Sequence, residues 1–207
     1  AGDEVILVSS GAIGMGMGKL HLRERPKSLP EKQAAAAVGQ CELMYTYDRL
    51  FSQYNHTVAQ ILLTGSDVDD SHRRENFHNT MYRLLELGAL PVINENDTVA
   101  TDEIVIGDND TLAAKVAQSV NADLLILLSD IDGLYTADPH KDPSAVKFDE
   151  LTYAEVLERG LKATDVTAMA LAMDNNMPMV CFGLAEENSI LRVVRGEAIG
   201  TTVKNKF

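Results

Sequence analysis

Apolar runs alternate with amphipathic segments along this chain, and the alternation restricts its fold more than any other feature of the sequence. Runs typical of buried strands lie at residues 4–10, 58–64, 90–95, 122–129 and 178–184. Patterns typical of helices lie at residues 32–51, 67–87, 110–120, 153–159, 162–175 and 188–194. Strands that alternate with helices predict an α/β fold, a three-layer α/β/α sandwich with a mainly parallel sheet.

Individual residues support these assignments. The run at 122–129 lacks the polar alternation of a half-exposed strand, which predicts a strand covered on both faces. Gly88 is placed to end the helix before it, since helices often end at glycine. Asp110 is a suitable N-cap for the helix that follows it.

The composition restricts the possible partners. With 207 residues, 45% of them hydrophobic, the chain can form one compact domain. Its formal net charge of −13 and the lack of a basic stripe argue against nucleic acid and anionic membranes. No apolar run approaches the roughly 20 residues that span a bilayer, and no signal-peptide pattern opens the chain, so we expect a cytoplasmic protein. Cys41 and Cys181 are expected to be buried thiols, and no cysteine–histidine spacing predicts a metal site.

Acidic and amide residues form two clusters that flank one short segment. Asn94–Asp97 ends a predicted strand, and Asp108–Asp110 opens a predicted helix. Ligands of open α/β sheets bind at the carboxyl ends of strands, which favours a binding site here. The alternative is that these residues serve only as turns and caps, for which Asn and Asp are well suited.

Four glycines lie between Ser9 and Gly18, directly after the first predicted strand. Glycine lets a backbone approach an anion and present N–H groups to it. The spacing matches neither the Walker nor the dinucleotide-binding motif. An ordinary strand-to-helix turn therefore stays open as the alternative to an anion-binding loop.

The segment from Ser129 to Pro139 follows the most apolar predicted strand. One interpretation is a loop that contacts a nucleotide, with Tyr135 against the base. Polar contacts would then come from Ser129, Asp130 and Asp138. The alternative is a structured loop without a ligand, since Asp132-Gly133 is itself a turn signal.

These motifs together resemble those of the amino acid kinase superfamily, and residues 2 to about 138 resemble the glutamate 5-kinase family in particular. The resemblance rests on six motifs in that family's order and spacing: VSSGAIGMG, AVGQ, ILLT, PVINENDTVAT, IGDNDTLAA and LLSDIDGLYTADP. It implies phosphorylation of the γ-carboxylate of glutamate by ATP with Mg²⁺, a step of proline biosynthesis. It also implies a homo-oligomer.

The same resemblance implies roles for individual residues. Four are implied to bind glutamate: Ser10, Gly11, Asp97 and Asn109. Asp110 would be the catalytic residue that organises phosphoryl transfer. Ser129 and Asp130 would contact ATP, and no residue is implied as a direct metal ligand.

Beyond about Asp138 the chain resembles the C-terminal part of bacterial UMP kinases. That pattern makes Tyr135 and Asp138 contacts of ATP. We expect a single domain with an acceptor-substrate lobe at residues 1–120 and a nucleotide lobe at 121–207. The change of resemblance suggests a hybrid of two kinase types.

Two departures from the family pattern lead to alternative functions. Family members begin with a strand that carries a K-x-G lysine, whereas this chain starts at the following strand, so that strand and its lysine are expected to be missing. The family's GTGGM…K loop has no match, and Lys162 is only a weak substitute. The alternatives to a glutamate kinase are therefore a UMP kinase and a binding module, hybrid or fragment, with impaired turnover.

Overall fold

The structure, a computed structural model, describes residues 2–100, 109–161, 165–185 and 187–206. The chain divides into two compact units, Ala1–Leu112 and Ala113–Phe207. Among the described residues, no helix has the length and apolar character needed to cross a membrane. The substrate roles assigned to residues 1–120 and 121–207 stay predictions.

The first unit contains a three-stranded parallel sheet and the helices that connect its strands. Its elements are β1 (Leu7–Val8), α1 (Ala12–Lys19), α2 (Leu29–Ser52), β2 (Val58–Leu63), α3 (Gly65–Asp69), α4 (Ser71–Glu86), β3 (Leu90–Glu95) and the start of α5 (Asp110–Ser119). The strand order is β1-β3-β2, with Leu7 opposite Val92 and Ile61 opposite Ile93. Because β1 and β3 run parallel, the residues that follow them emerge at the same edge of the sheet.

Helices α1 and α2 pack through two glycines. A Cβ atom added at Gly39 would overlap the carbonyl oxygen of Ala12, and one at Gly16 would overlap that of Ala35. The alanine-rich start of α2 is buried at Ala35 and Ala36, so the two helix backbones lie in direct contact. The small residues of α2 therefore serve this close approach, besides favouring a helix.

The second unit contains a mixed four-stranded sheet. Its elements are the rest of α5, β4 (Leu125–Ser129), β5 (Glu150–Thr152), α6 (Tyr153–Arg159), α7 (Val166–Asp174), β6 (Met179–Gly183), α8 (Ser189–Val194) and β7 (Thr201–Lys204). The strand order is β4-β6-β7-β5, and only the β6–β7 pair is antiparallel. Val180, Phe182, Val193 and Ile199 form a buried cluster. The α/β class and the predominance of parallel pairing are confirmed, and the described strands are divided between two sheets.

Several elements differ from the prediction. The strand expected at residues 4–10 is limited to Leu7–Val8, and α1, β5 and β7 are not among the predicted elements. The helix expected at 67–87 is two helices, because each start has its own cap. Asp67 accepts from the backbone N–H of Thr64, and Asp70 accepts from that of Arg73. Gly88, with φ +70°, follows the end of α4 as expected.

Three residues also lie in environments or positions other than those predicted from the sequence. Leu128 is 37% exposed, so β4 is not covered evenly on both faces. Cys41 is exposed on α2, whereas Cys181 in β6 is buried as expected. Helix α5 begins at Asp110, so Asp110 is its first helical residue and Asn109 precedes it. A difference of one residue is normal at a helix end.

Candidate functional site

Asn109 joins the ends of β1 and β3 within the first unit. Its Nδ2 atom donates to the backbone oxygen of Ser9 at 2.6 Å and to Oδ1 of Asn94 at 3.0 Å. Ser9 directly follows β1 and also donates its backbone N–H to Ile93 of β3. Three segments that are far apart in the sequence therefore meet at one edge of the sheet.

Helix α2 supports this edge from one face. Asn94 Nδ2 donates to Oε1 of Gln40 at 2.8 Å, and Ser9 Oγ lies 2.8 Å from the hydroxyl of Tyr47. Gln40 and Tyr47 are seven positions apart, about two helical turns, so they lie on the same face of α2. Asn94 is only 2% exposed, and its Oδ1 also accepts the backbone N–H of Glu95.

These bonds fix the orientation of the Asn109 amide. Its Nδ2 atom carries two hydrogens, and the bonds to Ser9 and Asn94 use both of them. Its Oδ1 atom makes no hydrogen bond to the described residues. The amide therefore presents an acceptor and no donor to a ligand.

Asp97 lies in the turn that follows β3. The turn is held by Asn96, whose backbone N–H donates to Leu63 at 2.7 Å and whose Oδ1 accepts from Thr98 at 2.6 Å. Asp97 is partly buried, and this burial raises the pKa of its carboxyl. It makes no hydrogen bond or ion pair with any residue that the structure describes. A carboxylate with little water and no cation is well suited to bind a cationic group of a ligand.

Ser10 and Gly11 form the turn between β1 and α1. Ser10 is exposed and its side chain has no hydrogen-bond partner among the described residues. Gly11 has φ +102°, a conformation that other residues rarely adopt, and no side chain in the described part of the chain caps α1. The turn therefore exposes a hydroxyl and the first backbone N–H groups of a helix, which are groups that bind anions.

Asp110 begins α5, next to the Asn109 amide. It is partly buried, and a carboxylate in the first turn of a helix is electrostatically favourable. The structure thus brings Ser10, Gly11, Asp97, Asn109 and Asp110 into the first unit. Asp108, which belongs to the same acidic cluster, and Lys162 lie outside the described residues.

The four predicted ATP contacts lie in the second unit, in or near the loop after β4. Ser129 Oγ is 3.2 Å from Asp130 Oδ1. The Tyr135 hydroxyl donates to Asp132 at 2.6 Å, which raises the pKa of Tyr135 and is the main reason that the pKa of Asp132 is lowered. Asp138 is exposed and pairs with Lys141 at 2.7 Å, and this bond lowers the pKa of Asp138. Each of these side-chain contacts joins residues at most three positions apart in the sequence.

Thr201 fixes this loop to the rest of the second unit. Its hydroxyl is fully buried, accepts the backbone N–H of Leu134 at 2.8 Å and donates to the backbone oxygen of Phe148. Gly133 passes so close that an added Cβ would lie 2.7 Å from the Thr201 hydroxyl. Sequence analysis did not find Thr201, and nothing in the local pattern marks it.

No group of three His, Cys, Asp or Glu residues suitable for a metal ion occurs within the described ranges. Mg²⁺ is commonly held by one or two carboxylates together with substrate phosphates, so a nucleotide substrate would bring its own Mg²⁺.

The amino acid kinase family model matches residues 1–183 of the chain. A glutamate 5-kinase of Carboxydothermus hydrogenoformans is 50% identical over 97% of this chain and 57% of its own length. One from Clostridium acetobutylicum is 47% identical over 99% of this chain and 82% of its own, and one from Clostridium tetani is 47% identical over 97% and 79%. The similarity to glutamate 5-kinases thus continues beyond residue 138, where the sequence alone resembles UMP kinases.

Solved structures share the fold. A UMP kinase from Bacillus anthracis has a TM-score of 0.64 at 18% identity and covers 96% of this chain and 76% of its own. A uridylate kinase from Archaeoglobus fulgidus has a TM-score of 0.62 at 22% identity and covers 97% of this chain and 85% of its own. At these identities the likeness concerns the fold alone, and it confirms the predicted fold class.

Proposed function

We propose that this chain, which belongs to the amino acid kinase family and within it to the glutamate 5-kinases, is a phosphotransferase. In the proposed reaction, the terminal phosphoryl group of ATP is transferred to the γ-carboxylate of glutamate. The observation that carries this proposal is the similarity to glutamate 5-kinases over at least 97% of the chain. The chain spans 57% of the first of those relatives, so the proposal concerns the kinase reaction alone.

The geometry of the first unit supports an amino acid as the acceptor. Asp97 offers a carboxylate that pairs with no cation of the described residues, and Asn109 offers an amide oxygen, so both suit an ammonium group. The Ser10 hydroxyl and the N–H groups at Gly11 and the start of α1 suit a carboxylate. A zwitterion carries both groups.

The proposed reaction needs positioning more than proton transfer. The γ-carboxylate of glutamate is ionised at neutral pH, so its oxygen attacks the terminal phosphorus of ATP without a general base. The new O–P bond forms as the bond to the β-phosphate oxygen breaks, and ADP leaves with that electron pair. In this proposal Asp110 orients the site, and ATP contacts Ser129, Asp130, Tyr135 and Asp138. Mg²⁺ bound to the nucleotide offsets the charge of its phosphates.

Three further statements belong to the same proposal. The product, glutamyl 5-phosphate, would enter proline biosynthesis. The chain would act in the cytoplasm, and it would assemble as a homo-oligomer. These three proposals follow from the family resemblance.

The test is ADP release from Mg·ATP with glutamate and UMP offered in parallel. Hydroxylamine in the assay converts an acyl phosphate to a hydroxamate, which identifies the product. We expect ADP and hydroxamate with glutamate alone. ADP release with UMP, or a folded chain that releases no ADP with either acceptor, would overturn the proposal.

Asp97→Asn tests the acceptor site. We expect the KM for glutamate to rise by about tenfold or more, because a charge-assisted hydrogen bond is lost. The KM for ATP should stay within about twofold of the wild-type value, since Asp97 is not assigned a contact with ATP. Asp48→Asn, at an exposed position of α2 in the same unit, is the matched control and should change neither constant. An unchanged KM for glutamate in Asp97→Asn would remove Asp97 from the site.

A further inference from the structure

A chain of amide groups leads from α2 to the candidate acceptor site. Oε1 of Gln40 accepts from Asn94 Nδ2 at 2.8 Å, and Oδ1 of Asn94 accepts from Asn109 Nδ2 at 3.0 Å. Each link sets the rotation of the next amide, because an amide can donate only from nitrogen and accept only at oxygen. Gln40 and the backbone N–H of Glu95 thus orient the Asn94 amide together, and Asn94 and the Ser9 carbonyl orient the Asn109 amide together.

The amide nitrogen of Gln40 is in an energetically unfavourable environment. Its Nε2 atom is buried and has no hydrogen-bond partner among the residues that the structure describes. A buried donor without an acceptor is unfavourable, and native proteins rarely retain one without a reason. Packing alone would be served better by an apolar side chain of similar length. The useful part of Gln40 is thus its oxygen, which faces Asn94.

The neighbouring residues of α2 do not offer the same bond. Gly39 contacts the backbone of α1, and Leu43, one turn later, is buried and apolar. Tyr47 binds Ser9, the other residue whose oxygen Asn109 contacts. Among the described side chains, Gln40 is the one that accepts from the Asn94 amide nitrogen.

We infer that Gln40 is a positioning residue for glutamate binding: through Asn94 it holds the Asn109 amide with its oxygen presented to the substrate. This inference rests on the proposed function, because it takes Asn109 as a contact of glutamate. Gln40 itself does not contact the substrate. Without the Gln40 oxygen, the Asn94 amide is held only through its Oδ1 atom, so one of the two acceptors that fix the Asn109 nitrogen is less firmly positioned.

The experiment is a double-mutant cycle of Gln40→Leu and Asn109→Ala in the full chain. The KM for glutamate and the KM for ATP are measured by ADP release, and the glutamate Kd is measured by titration calorimetry. Melting curves define a temperature at which every variant is folded. We expect Gln40→Leu to raise the KM and Kd for glutamate by about tenfold, the equivalent of one ordinary hydrogen bond, and to leave the KM for ATP within about twofold.

The Asn109→Ala background separates positioning from general damage. If Gln40 acts through Asn109, Gln40→Leu should add less than about twofold to the glutamate constants of Asn109→Ala. Leu43→Ala, which removes buried apolar contacts on the same helix, should lower Tm without changing either substrate constant. Gln53→Leu, at the exposed end of α2, should change nothing.

Two outcomes overturn the inference alone: a wild-type KM for glutamate in Gln40→Leu, or full additivity with Asn109→Ala. Should the leucine variant fail to fold, Gln40→Asn replaces it in the same cycle, because the shorter side chain also withdraws the oxygen from Asn94. A wild-type chain that neither turns over nor binds glutamate overturns the proposed function, and the inference with it.

Discussion

The candidate residues of the two units are held in different ways. In the first unit, three of the bonds that orient Asn94 and Asn109 join residues 15, 54 and 100 positions apart. In the second unit, the side chains of Ser129, Tyr135 and Asp138 bond to residues one to three positions away, within their own loop. The geometry of the first group therefore requires the folded unit, whereas that of the second is largely local.

The two units would therefore bind ligands in different ways: the first through side chains already oriented, and the second through a loop that can rearrange. A network of buried amides is oriented before a ligand arrives, so the ligand need not order it. An exposed loop with local ion pairs can exchange those pairs for contacts with a ligand at little cost. In the second unit, Thr201 restrains the loop over the longest sequence distance, and it is not itself a candidate contact. Backbone bonds of Leu134 and Thr136 to residues 146–148 add to this restraint.

Gly39→Ala should have the largest effect, because it separates the backbones of α1 and α2. The added Cβ would overlap the backbone oxygen of Ala12, and backbone cannot move aside as a side chain can. We expect a loss of about 3 kcal/mol in the free energy of unfolding, measured by denaturant titration. Gly14→Ala is the matched control: its Cβ meets nothing within 4 Å, and alanine in α1 should stabilise by roughly 0.5–1 kcal/mol. Equal effects of the two substitutions would contradict the packing account.

Thr201→Val tests whether the nucleotide loop depends on one long-range restraint. The change keeps the shape of the side chain and leaves the buried N–H of Leu134 without an acceptor, which costs about 1–3 kcal/mol. We expect the KM for ATP to rise several-fold and the KM for glutamate to stay the same. Thr202→Val, at the next position of β7, should leave both constants unchanged. A rise in the KM for glutamate as well would remove the contrast between the two units.

Asp97 should make the stability of the first unit depend on pH. Burial raises the pKa of its carboxyl in the folded chain, so between the ordinary and the raised pKa the folded chain binds more protons than the unfolded chain. The contribution of this group to stability therefore falls as pH rises through that interval, and it stays low at neutral pH. Asp97→Asn should raise Tm at pH 7 by roughly 1–3 °C and less at about pH 3. A Tm gain that is larger at the acidic pH would contradict the sign of this effect.

Tyr135→Phe should have the smallest effect, because among the described residues the Tyr135 hydroxyl bonds only to Asp132, in the same exposed loop. Loss of this donor removes the main cause of the lowered pKa of Asp132, so that pKa should rise toward its ordinary value. Carboxyl NMR titration measures the change, and Tm should stay within about 1 °C. A large drop in Tm would show that the loop relies on this bond as much as the first unit relies on its amides.

Most of the regular elements could be predicted because their local pattern agrees with their environment. The bounds of β3 match the prediction at Leu90–Glu95, where a buried apolar run ends in polar residues. Helix α6 matches at Tyr153–Arg159, where Thr152 and Glu155 form a capping box and Gly160 follows. Strands β5 and β7 could not be predicted, because they are three and four residues long and are defined by long-range pairing, β5 with β7 and β7 also with β6.

The candidate site was predictable only in part. Asp97, Asn109 and Asp110 are visible as clusters of polar residues at element ends, where such residues serve turns, caps and ligands alike. Gln40 and Tyr47 lie inside a helical pattern, where a polar residue ordinarily indicates the solvent side. Their inward direction depends on the packing of α1 against α2, which no local pattern in the sequence reveals.

The contact between Gly16, Gly39 and the opposite backbones also fixes the rotation of α2 about its own axis. Successive residues of a helix are about 100° apart, so a turn of one position would carry Gln40 and Tyr47 away from β3 and β1 together. Two residues without side chains thus set the angle at which two polar side chains meet the sheet. Selection for a working acceptor site would therefore act on glycines that touch neither the ligand nor the residues that hold it.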